Sequence, residues 1–117
     1  MNKVILSFIL IIILSCQINS QSSAELFNLG MKAFNNKDYV EANDYFDSFF
    51  QEHNEIDEVY STAKYYSGES LLNLGEKYAA SERFEFLVNN FKWSVFRDAA
   101  LYKLGLIYFD INQFFYI

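Results

Sequence analysis

Three glycines set the frame of this chain. Gly30, Gly68 and Gly105 fall 38 and 37 residues apart, each inside an amphipathic stretch and each three positions after an aromatic residue, Phe27, Tyr65 and Tyr102. A glycine within a helix costs about 1 kcal/mol relative to alanine, because its backbone has more freedom to lose, so its recurrence asks for a packing reason. Twelve residues after the first two glycines come Ala42 and Ala80, and four after those come Phe46 and Phe84. A period of this length, built of helix–turn–helix units, is a solenoid signature. Small residues on two adjoining helices let the backbones approach, so Gly30 is expected to face Ala42 and Gly68 to face Ala80. The phenylalanines then fill the space beside the contact. Burial of each ring, about 1.5–3 kcal/mol, outweighs the lost helix propensity.

From Ser22 onward the apolar pattern is helical, with no proline in the chain and no alternating run long enough for a strand. Ser22 and Glu25 have capping-box spacing and mark the start of a helix reaching about residue 34, closed at Asn35-Asn36, residues that tolerate a left-handed turn. The pattern predicts further helices over about 38–53, 56–73, 77–88 and 95–110, with Asn54 capping the third and Ser94 the fifth. The fold class expected is all-α, a helical-hairpin solenoid of about two and a half repeats over residues 22–117.

Leu29-Gly30, Tyr39, Ala42 and Phe46 resemble a tetratricopeptide (TPR) repeat in register. The run AKYYSGESLLNLG, then Ala80, Phe84 and Phe91, then DAALYKLG, is similar to the periplasmic subfamily that includes outer-membrane assembly lipoproteins of the BamD type and Tol-Pal coordinators of the YbgF type. The resemblance covers about residues 24–114. In two places the chain departs from it. Tyr78 stands one position late, with Lys77 at the usual tyrosine position, which suggests an extra residue in the turn after Gly75; and Phe91-Lys92 replaces the tyrosine-proline that often ends a repeat.

The resemblance implies a concave surface lined by the first helix of each pair: Phe27, Met31 and Phe34, then Tyr65, Glu69 and Leu72, then Tyr102, Leu106 and Phe109. Such a groove takes apolar or aromatic anchors of an extended or helical peptide. The same aromatics equally suit packing between neighbouring repeats. Twelve residues after Gly105 the sequence reaches Ile117, and the stretch INQFFYI carries large apolar side chains without charge. A solenoid end normally presents a polar cap. Either a partner covers the fifth helix or the chain is a fragment of a longer protein, and the fragment is the favoured expectation.

The N-terminus reads MNKVILSFILIIILSC: one basic residue, then an uncharged apolar run from Val4 to Leu14. That run is shorter than the about 20 residues that a membrane-spanning helix needs and has the length of a signal-peptide core. Residues 1–20 are therefore expected to be a signal segment, with two processing routes open. Leu14-Ser15-Cys16 resembles a bacterial lipobox, which would make Cys16 a lipidated first residue; ordinary cleavage after Ser20 is the rival. Either route exports the chain, to the periplasmic face of the outer membrane or the periplasm.

Beyond that segment fifteen acidic residues stand against eight basic ones, a balance of −7. No basic stripe exists to release counterions from a phosphate backbone, so no nucleic-acid partner is expected. With Cys16 lipidated or removed, no thiol nucleophile or thiolate ligand remains. His53 is the only histidine, near a helix end where an imidazolium favours the dipole, and no Ser-His-Asp set is expected around it. Glu41, Asp44 and Asp47 recur every three residues and read as a solvated face rather than a calcium site. No cofactor, no metal and no catalysis are expected. The expected function is an exported interaction scaffold of the bacterial cell envelope, binding envelope proteins or peptide segments and held to the membrane by a lipid on Cys16. The alternative is a non-catalytic accessory or binding domain of a longer secreted protein.

Overall fold

A computed structural model of the chain describes residues 2–9 and 21–115, and all regular structure among them is helical. Residues 2–9 are helical and exposed, and no helix among the described residues is long and apolar enough to cross a membrane. Cys16 and the cleavage position after Ser20 lie outside the described residues. From Ser23 onward come α1 (Ser23–Asn35), α2 (Tyr39–Glu52), α3 (Glu58–Asn73), α4 (Lys77–Asn90) and α5 (Arg97–Phe115). α1 and α2 form one antiparallel hairpin and α3 and α4 a second; α5 packs on α4. The expected helices are present, with shifted ends. α3 starts at Glu58 because Asp57, not Asn54, caps it, accepting the Tyr60 N–H at 3.0 Å. α5 starts two residues later and runs five further than expected. Ser22 caps α1 by accepting the Glu25 N–H.

The two hairpin turns are copies of one another. Each has three residues between its helices, and in each the middle one has left-handed backbone, Lys37 at φ 62° and Gly75 at φ 81°. The Asp38 N–H donates to the Ala33 carbonyl and the Lys37 N–H to that of Phe34; Glu76 and Gly75 repeat these bonds to Leu71 and Leu72. This is the Schellman closure, which satisfies carbonyls that a helix end leaves free. Two expectations are corrected. The left-handed residue of the first turn is Lys37 rather than Asn35 or Asn36, and the second turn holds no extra residue. Lys77 takes the place of Tyr39, and Tyr78 points into solvent.

The glycines admit the aromatic rings. A Cβ on Gly30 would come within 2.7 Å of Phe46 Cε1, and one on Gly68 within 2.7 Å of Phe84 Cε1. Ala42 and Ala80, one turn earlier on the helices that carry those rings, are fully buried. Two clusters form the core. Leu26, Ala33, Ala42, Phe46 and Phe49 build the first, joined by Ala63 of α3. Leu71, also from α3, joins Ala80, Phe84, Leu87, Phe91, Ala100, Leu104 and Ile107 in the second. α3 thus belongs to both.

Candidate functional site

The groove residues fall into two groups. Phe27, Met31 and Phe34 are half-buried against the first core, with Phe27 5.8 Å from the Phe49 ring and Phe34 edge-on to Tyr66 of α3 at 4.9 Å. Tyr65 and Leu72 are half-buried against the second core. The Tyr65 ring stacks on Phe96 at 4.7 Å and leans on Phe84. Burial, with the Glu69 carboxylate and Tyr66 nearby, raises the pKa of its hydroxyl. Glu69 Oε1 lies 3.2 Å from Lys103 Nζ of α5. These six side chains are partly occupied within the fold.

The third set stands apart. Tyr102 is 66% exposed, Phe109 61% and Leu106 44%, and Leu101 and Tyr108 beside them are open too. α5 spends Ala100, Leu104 and Ile107 on the core, at spacings of four and three, and this leaves the opposite side bare. Gly105 lies within that side, and a Cβ there would meet nothing within 4 Å. The only ionic side chain between Leu101 and Phe109, Lys103, is turned to Glu69. The five exposed apolar side chains thus lie together on one side of α5.

Two polar devices join the two hairpins. Lys64 is buried, its ammonium 4.0 Å from the Phe50 ring centroid, 4.5 Å from Phe86 and 5.5 Å from Tyr60. Burial, helped by Arg83 and opposed by Asp47, lowers its pKa to about 8. Beside it Arg83 of α4 donates to Asp47 of α2 at 2.8 Å. The acidic series is therefore split, because Asp47 is held by Arg83 while Glu41 and Asp44 flank a depression of about 520 Å³ beside the first turn. Sequence reasoning passed over Lys64. The signal was there, since the repeat aligns it with Leu26 and Leu101, both apolar.

His53 also departs from expectation, because a serine and an aspartate do meet it. Its Nδ1 lies 3.2 Å from Ser23 Oγ, its Nε2 3.0 Å from Asp57 Oδ2, and its ring stacks on Phe49 at 4.7 Å. The three residues tie the start of α1 to the α2–α3 connection. Either protonation state of the ring keeps both partners, because the Ser23 hydroxyl can donate or accept. Burial raises the Asp57 pKa, but the Tyr60 N–H and His53 outweigh that and hold it below the usual value.

No family model matches this chain, and no curated protein matches it. Among the described residues the fold is all-helical, packed antiparallel hairpins with an exposed apolar side on α5.

Proposed function

We propose that the chain is an exported, non-enzymatic scaffold of the tetratricopeptide type in the bacterial cell envelope, an accessory lipoprotein of the outer-membrane assembly or Tol-Pal kind, binding proteins or peptide segments through apolar anchors. The observation that carries this reading is the bare side of α5, where Leu101, Tyr102, Leu106, Tyr108 and Phe109 are all exposed. The glycine-to-ring contact repeated in both hairpins supports the repeat architecture. The apolar run before Cys16 supports export and the tether.

Two experiments test it. A photo-crosslinking residue at Tyr102 should capture envelope proteins, and Tyr102→Ala should weaken that capture by about 1–2 kcal/mol with the fold intact, as interface anchors do. Labelled fatty acid should mark the protein through Cys16, and Cys16→Ala should remove the label and release it from membranes. A mature N-terminus at Gln21 would replace the tether with ordinary cleavage.

A further inference from the structure

We infer that the end of the molecule formed by the α2–α3 and α4–α5 connections docks on a lipid bilayer, with Ile56, Val59, Trp93 and Val95 inserted at the headgroup level. The inference rests on the tether reading and gives the orientation in which the tethered protein stands. Topology collects these residues at one end. Because each hairpin is antiparallel, the ends of α2 and α4 lie beside the starts of α1, α3 and α5. His53, closing α2, meets Ser23 at the start of α1, and Ser61 in the first turn of α3 meets Ser94 before α5 at 2.6 Å. The Tyr60 and Phe91 rings, 5.8 Å apart, close the same junction. The turns at Lys37 and Gly75 form the opposite end.

Connections between helices are ordinarily polar. Here Ile56 is 66% exposed, Trp93 56% and Val95 75%, with Val59 partly open beside them. Two successive turns, closed by the Ser94 N–H on the Phe91 carbonyl and the Arg97 N–H on the Ser94 carbonyl, hold Trp93 and Val95 at their corners. The buried Phe91 ring meets the indole edge-on at 5.5 Å, so Trp93 is oriented and yet open. Exposure belongs to this end of the fold, since Ile56 stays open with α3, α4 and α5 all following it.

The occupant follows from the chain that enters α1 at the same end. Residues 17–22 alone separate Cys16 from Ser23, so a lipid on Cys16 keeps the start of α1 within about 25 Å of the bilayer even when that segment is fully extended. Insertion then becomes an intramolecular step, for which a few apolar side chains suffice. An indole settles at the membrane–water interface, and aliphatic neighbours add buried apolar area. Glu55 and Glu58 flank Ile56 and are exposed, with Lys92 the one exposed cation beside Trp93. The contact is therefore apolar insertion rather than attraction to anionic headgroups.

Trp93 is the only tryptophan and serves as the probe. The full-length gene product, purified from membranes in detergent and reconstituted into phosphatidylcholine–phosphatidylethanolamine vesicles, should show blue-shifted tryptophan emission. Phosphatidylcholine brominated near the headgroup should quench it about twofold, and more than lipid brominated near the chain ends. Ile56→Asp combined with Val95→Asp, both at exposed positions, should remove most of the quenching while flotation with the vesicles persists. In a Trp93→Phe chain, Val40→Trp at the opposite end should stay unquenched. Unquenched Trp93, quenching indifferent to the two aspartates, or equal quenching at position 40 overturns the inference. So does a photo-crosslinking residue at Val95 that captures an envelope protein instead of lipid. Flotation separates the two readings: protein that floats with an unquenched Trp93 keeps the tether and loses the docking, whereas protein that does not float loses both.

Discussion

The Phe84 ring occupies the space where a side chain on Gly68 would begin, with ring carbon Cε1 2.7 Å from the position of a Cβ. Because the ring is fully buried between α3 and α4, it cannot swing aside without disturbing the core. Gly68→Ala should therefore destabilise by about 1–3 kcal/mol through overpacking, despite the better helix propensity of alanine. Gly105→Ala, in open space, should stabilise by up to about 1 kcal/mol. Urea titrations of the two variants should shift in opposite directions; equal shifts would contradict the register.

Lys37 and Gly75 offer a second paired test. Lys37 has a φ of 62°, where a β-carbon is crowded by the backbone, while Gly75 has φ 81° without that penalty. Lys37→Gly should raise stability by about 0.5–1 kcal/mol and Gly75→Ala should lower it by about 1 kcal/mol. Thermal or chemical unfolding would show both.

The buried lysine predicts an alkaline signature. Lys64 has a pKa of about 8 in the fold against 10.5 ordinarily, so between about pH 8 and 10 the unfolded chain holds more protons than the folded one. Stability should rise with pH across that window, and below it the burial penalty should stay constant. Lys64→Met should abolish the rise and stabilise at pH 7 by about 1–3 kcal/mol, since an apolar chain of similar length needs no desolvation of charge. Unfolding midpoints at pH 7, 8, 9 and 9.5 for both proteins decide it.

At the acid end Asp57 gives a slope of the same sign. Its pKa is held below 3.8 in the fold, so its contribution is present above the usual carboxylate range and is lost as pH falls through the folded value. Asp57→Ala should cost about 1 kcal/mol at pH 7 through loss of the α3 cap, and Asp57→Asn should retain most of it because an amide oxygen also caps. Acid titration of the alanine variant should be shallower than that of the parent protein.

The hairpins were legible because their determinants are local or periodic: Gly30 and Gly68 with rings sixteen residues on, and Ser22 as a cap. The ends of α3 and α5 were not, because Asn54, Asp57 and Ser94 are all competent caps and tertiary contacts choose among them. Ser94, for one, is drawn inward by a 2.6 Å hydrogen bond to Ser61. Likewise the sequence places Tyr65 and Tyr102 at equivalent positions, yet Phe96 covers one and leaves the other open. Contacts between distant segments, such as His53 with Ser23 thirty residues away, leave no periodic trace.

α3 carries Ala63 into one core and Leu71 into the other, and its Lys64 is held by rings from both hairpins. A stack of units that touch only at their borders can lose one end while the rest persists. Here the shared helix couples the two hairpins across their border. Amide protons of α1 to α4 should then exchange with solvent through one common opening event. Those of α5, which packs on α4, should exchange through an earlier and cheaper one, so the exposed apolar side chains belong to the first element that the protein releases.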